Sequence, residues 1–257
     1  MTTMIIQGTL AALFTSLFAG LGGFLVFFKK NYSKSNINFL LNAAAGIMLA
    51  SSFFTLLVPA AGTVVSMPMG KYWGALLLVV SVLSGVGIVW ILHAVLPHEH
   101  EISGHHGLQM DLRSSWLFVI AIAIHKFPEG LAVGVAYAGE RLYNPESLAI
   151  GIGLQNIPEG LMVSVTLMAI GFSRLKAALF AAVTGLMQPF GALIGVIGTG
   201  WSMAFVPFGM AMAGGTMLFV IINEIIPETY TNKENEKHTM AIMLGFVMMM
   251  FMSIVLG

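Results

Sequence analysis

Eight apolar runs, each long enough to cross a bilayer, leave this chain of 257 residues little choice of fold. They lie at about residues 4–28, 39–61, 73–96, 115–138, 147–170, 175–199, 204–226 and 239–256. A helix rising about 1.5 Å per residue needs about 20 residues to cover the hydrocarbon layer. The runs are continuously apolar and lack the polar–apolar alternation of a membrane barrel, so they predict α-helices. With 58% hydrophobic and 9% charged residues, the chain is too apolar for an ordinary water-soluble core. The expectation is an all-α membrane protein, one transmembrane domain over residues 1–257. No basic region precedes the first run and no small-residue cleavage site follows it, so that run reads as a retained helix rather than a signal peptide.

The formal charge is zero, so the total says nothing about nucleic acid or acidic partners, and the sidedness of the charges matters more; no nucleic-acid partner is expected. Lys29, Lys30, Lys34, Arg113, Arg174, Lys176, Lys233 and Lys237 fall in connections on one side of the predicted membrane, whereas Lys71 and Arg141 fall on the other. Basic residues concentrate on the cytoplasmic side, so both termini are predicted outside the cytoplasm. Lys126 remains, inside a span. There is no cysteine, which excludes disulfides and thiolate zinc sites and leaves N, O and thioether S as metal ligands.

Two of the runs contain near copies of one hexapeptide. His125-Lys126-Phe127-Pro128-Glu129-Gly130 recurs as Gln155-Asn156-Ile157-Pro158-Glu159-Gly160. A carboxylate at mid-membrane depth is costly and marks an ion path by default. Positions i and i+4 share a helix face, so His125 aligns with Glu129 and Gln155 with Glu159. Pro128 and Pro158 lack the amide hydrogen that would bond the carbonyls of Ile124 and Leu154, which frees backbone oxygens at the same depth. One imidazole, two carboxylates and an amide oxygen suit zinc, iron(II), manganese or cobalt better than copper(I). The bland alternative is a polar cluster that only glues helices together, but a repeated carboxylate is an expensive glue.

Other polar residues group around this pair. Glu224 and Glu228 near the end of the seventh run, with His93 at the matching end of the third, are candidates for a cytoplasmic release path. The connection 97–114 carries His98, His100, His105 and His106 among carboxylates and has the composition of a loose metal buffer. A weaker echo pairs Gly46 to Pro59 in the second run with Gly214 to Pro227 in the seventh at identical spacing, in helices of opposite direction, as an inverted repeat would.

The paired motif resembles the fourth and fifth helices of the ZIP (Zrt/Irt-like) metal transporters, particularly their prokaryotic branch. The likeness extends to Gly46–Pro59 and to Asn223-Glu224-Ile225-Ile226-Pro227-Glu228, and so covers nearly the whole chain. It implies eight helices arranged as three, two and three, with inverted repeats flanking a metal site between helices four and five. It also implies a primary site of His125, Glu129, Gln155 and Glu159, with Met48 as a thioether neighbour. Family members holding a second, adjacent metal carry ligands at the positions of Lys126, Asn156 and Gln188. Here those are an ammonium and two amides, so a mononuclear site is expected, with Lys126 paired to Glu129 or Glu159 in place of a second cation.

The function expected is transport of a divalent transition metal toward the cytoplasm. Zinc is the leading cargo and iron, manganese, cadmium and cobalt are alternatives. The partners expected are that ion, the lipid of a prokaryotic plasma membrane and, as an open alternative, a second copy in a homodimer. No cofactor is expected. A proton-coupled carrier of another solute remains an alternative. An intramembrane metallohydrolase fits less well, because no His-Glu-x-x-His edge is present, and no Gly-x-Ser-x-Gly setting supports a serine enzyme. Smooth glycine-rich faces would suit sliding of helices four and five with their partners, although the sequence leaves rocking open.

Overall fold

The computed structural model describes residues 2–28, 33–65, 67, 70–95, 112–139, 145–202, 205–229 and 235–256, all in helices, turns or short connections. The first span is Thr2–Phe24, continued by one tighter turn at Leu25–Phe27. The second begins as Lys34–Ser51, widens into a π-helix over Ser52–Leu57 and resumes as Val58–Val65. The third, fourth and fifth are Lys71–Val95, Leu112–Ala138 and Pro145–Ala169. The sixth is broken into Arg174–Gly185 and Met187–Trp201. The seventh runs Phe205–Val220, then a π-helix at Ile221–Ile225, then Ile226–Thr229; the eighth is Asn235–Leu256.

Seven of these helices are long and apolar enough to cross a membrane among the described residues. The fourth has 27 residues, about 40 Å at 1.5 Å per residue. Local chemistry sets the ends. Ser33 caps the second span, its hydroxyl accepting from the Asn36 amide at 3.2 Å, and Ser173 caps the sixth in the same way at Lys176. Pro145 opens the fifth span and places Glu146 in its first turn, both favourable at a helix N-terminus. Gly171 turns the chain between the fifth and sixth spans at φ +95°.

Proline acts differently at different depths. Pro128 and Pro158 are carried inside unbroken α-helices. Pro59 and Pro227 each follow a π-helical stretch, which accommodates the missing donor by widening the preceding turn. The Gly-to-Pro echo thus has a structural counterpart at the same place in both spans. The sequence predicted one continuous sixth run. Pro189 cannot donate to the carbonyl of Gly185, and the helix breaks there, with Leu186 joining the halves.

In space the chain-order division of three, two and three becomes four and four. The first, fourth, fifth and sixth spans pack mainly on one another, as do the second, third, seventh and eighth. Each group is stitched by reciprocal glycines that let a neighbouring backbone come where a Cβ would sit. Gly22 lies against the Ile157 carbonyl and Gly160 against that of Ala19; Gly130 meets Gln188 and Gly191 meets Phe127. In the second group Gly46 meets Ile242 and Gly245 meets Ala43, while Gly85 meets Met212 and Gly215 meets Val82. The groups touch chiefly where the second span packs on the fifth and the fourth on the seventh. Glycines at the boundary meet side chains instead: Gly151 the Met249 thioether, Gly209 a Val135 methyl, Gly198 the Phe205 ring. Small residues of this kind let membrane helices approach closely where lipid gives no hydrophobic drive.

Candidate metal centre

Glu129 and Glu159 come together across the fourth and fifth spans, and the ammonium of Lys126 sits between them. Lys126 is one turn before Glu129 on the same helix, and its Nζ lies 3.0 Å from Glu129 Oε2. The same nitrogen donates to Glu159 Oε2 and to Asn156 Oδ1. Lys126 is fully buried, at 0% exposure. A buried ammonium has three hydrogens to place, and three groups receive them. It does not snorkel to an interface.

Two amides hold the Glu129 carboxylate. Gln155 Nε2 donates to Glu129 Oε1 at 3.2 Å, and Gln188 Nε2 donates to Glu129 Oε2 at 2.7 Å. Asn156 is oriented in turn: its Nδ2 donates to the Thr15 carbonyl at 2.8 Å and lies 3.2 Å from Gln188 Oε1. The Thr15 hydroxyl lies 3.1 Å from that same oxygen. The break before Gln188 brings this side chain to the cluster, and the Gly130–Gln188 contact sets how near the fourth and sixth spans can be. One polar atom stands out. Gln155 Oε1 is buried and has no hydrogen-bond partner among the described residues, an uncommon state for a buried amide oxygen.

The sequence-derived site is thus partly assembled. Glu129, Gln155, Glu159, Lys126, Asn156 and Gln188 share one network. Met48 is buried at 2% exposure on the second span, which packs against the fifth, and its carbonyl accepts from the Ser52 hydroxyl at 2.7 Å. The side chains of His125, His93, Glu224 and Glu228 lie outside the described residues, as do His98, His100, His105 and His106 with their whole connection. Accordingly, no three His, Asp or Glu side chains form a metal-sized group among the described residues.

Sequence reasoning missed Thr15, because a hydroxyl in a span carries no signal that separates helix glue from site. It also missed a second polar contact. Asn42 Nδ2 lies 3.0 Å from His238 Nδ1, joining the second and eighth spans, and His238 is 2% exposed. It lies one residue before the predicted eighth run, 239–256, just after the charged stretch Lys233–Lys237. The formal charges of the site's members, two carboxylates and one ammonium, sum to a single negative charge.

Residues 93–253 match the family model described as ZIP Zinc transporter. The chain is 38% identical over 251 residues to the zinc transporter GufA of Myxococcus xanthus, covering 97% of this chain and 99% of that one. It is 39% identical over 224 residues to the zinc transporter ZIPB of Bordetella bronchiseptica, covering 85% and 71%. A third relative, the zinc transporter ZupT of Streptococcus mutans, is 29% identical over 239 residues, covering 88% and 87%.

Proposed function

Because the chain belongs to the ZIP zinc transporter family, we propose that it carries zinc into the cytoplasm across the plasma membrane of a prokaryote. Iron(II), manganese, cadmium and cobalt are cargoes that the same ligands accept. ZIP transporters are carriers, not enzymes, and zinc here is substrate rather than cofactor. The observation that carries the reading is the meeting of Glu129 and Glu159 at buried depth, beside a Gln155 amide whose oxygen has no partner among the described residues. The ion sheds water onto Glu129, Glu159 and His125, with Gln155 Oε1 completing the shell and Met48 lining the approach. It leaves inward past Glu224, Glu228 and His93, and the histidines of the 97–114 connection capture it. The membrane potential favours cation entry, and the eight-to-two placement of Lys and Arg puts that connection in the cytoplasm with both termini outside.

The site takes one ion at a time. A first divalent cation changes its net charge from one negative to one positive, and a second would make it three positive. Two divalent cations about 4 Å apart oppose each other by about 16 kcal/mol at an effective dielectric of about 20, because their charge product is four times that of two unit charges. Lys126 therefore occupies the role of a second cation. Access alternates by sliding of the first, fourth, fifth and sixth spans against the other four, a reading supported by backbone-to-glycine stitching inside each group and side-chain contacts at the glycines between them.

Uptake into liposomes tests the whole reading. Several divalent ions should enter and compete, and alanine at His125 or Glu159 should abolish entry. A purified chain that moves none of the ions offered overturns it. Lys126→Asn should raise bound metal from one ion per chain toward two; one ion and unchanged transport would count against the mononuclear assignment.

A further inference from the structure

Lys126 and a metal ion claim the same oxygens. The ammonium touches both carboxylates, so an ion that takes both must first displace it from at least one. Its remaining anchors are already in place. Glu129 lies one turn away on the same helix, and Asn156 Oδ1 is kept aimed at Nζ because the other end of that amide is tied to the Thr15 carbonyl and to Gln188. Glu159 belongs to the facing span and is the more exposed carboxylate, 8% against 1% for Glu129. The ion therefore displaces Lys126 from Glu159, and the ammonium retreats onto Glu129 and Asn156.

Resting on the transport reading above, we infer that Lys126 is a tethered counter-cation that closes on both carboxylates once the cargo leaves, and so lets the emptied carrier return. Without it, an empty site would move through the low-dielectric interior as two like charges with no cation between them, a state penalised by both repulsion and desolvation. With it, the empty site carries one negative charge and the loaded site one positive charge, of equal size. No covalent bond changes and no proton moves; ammonium–oxygen contacts exchange with metal–oxygen contacts. The consequence is kinetic. Empty and loaded carriers should cross at similar rates.

Reconstituted protein reads this directly. Net zinc entry into metal-free liposomes needs the empty carrier to return, whereas exchange of labelled zinc against internal zinc does not. In the parent the two rates should agree within about threefold, and in Lys126→Gln and Lys126→Met the ratio of net entry to exchange should fall at least about tenfold, the equivalent of one decade in rate. Lys126→Arg, which keeps the charge, should hold the parental ratio. Exchange more than about tenfold faster than net entry in the parent, or a parental ratio in the neutral variants, overturns the inference. A parent that neither exchanges nor takes up zinc overturns the transport reading and this inference with it, and its missing exchange tells the two failures apart.

Discussion

The group formed by the first, fourth, fifth and sixth spans buries an ionic network around Lys126, whereas the described contacts between helices of the second, third, seventh and eighth spans include an amide on an imidazole, Asn42 with His238, and the rings of Phe54 and Phe246. Both groups are stitched by the same device, glycine against backbone. What differs is the content. Pro128 and Pro158 of one group sit inside regular helix and Pro189 of that group breaks the sixth span, while the other group widens into π-helix ahead of Pro59 and Pro227. Stitching makes each group a unit, and the described buried ion pairs lie in one of the two. An amide–imidazole contact can join two helices without drawing a cation to that depth.

The sharpest way to break this comparison is to remove a charge from the first group. Glu129→Ala leaves Lys126 with one fewer anion and strands two amide donors, so stability should fall by about 3–5 kcal/mol, as when a buried pair loses one partner. Thermal unfolding in detergent checks this, and zinc binding should vanish as well. Next come the stitches. Gly191→Leu would drive a side chain into the Phe127 carbonyl and should cost at least about 1–3 kcal/mol through overpacking. Gly209→Ala, at the boundary between groups, meets only a Val135 methyl and the Phe205 ring. It should spare stability to within about 1 kcal/mol, since a side chain can shift where a backbone cannot, while slowing uptake. Equal losses of stability at the two positions would erase the distinction between stitch and boundary.

Smaller effects are expected from the second group's polar contact. Asn42→Ala should cost about 1 kcal/mol, typical of a single net hydrogen bond. Zinc stoichiometry should stay unchanged; its loss would mean that both groups hold cargo. Smallest of all, replacing His98, His100, His105 and His106 together by serine should change liposome uptake by less than about twofold at saturating metal, because a loose capture site adds affinity rather than a path.

Much of this was legible in the order of residues. The eight helices follow from run length, because a bilayer admits few other ways to satisfy a backbone. The two Pro-Glu-Gly copies point to a common depth, and the spacing of Lys126 from Glu129 shows that the two can pair. Thr15 and the break that brings in Gln188 were not legible. A hydroxyl in an apolar helix looks the same whether it faces a neighbour or a site, and a Gln-Pro pair inside an apolar run marks a break only when the helix has a reason to turn there. The contact of His238 was not legible for a related cause: charge in the preceding residues says nothing about which face of the next helix is buried.

Membrane-spanning helices and family membership could be read from the order of residues alone, since these rest on composition, periodicity and local motif. The tertiary structure alone decided how helices separated in the chain form two groups of four. It also decided that one ammonium bridges both carboxylates and that an amide oxygen is left without a partner among the described residues. Those outcomes depend on contacts between residues as far apart as Thr15 and Gln188. Such contacts are settled by how closely whole helices can approach, which no local pattern encodes.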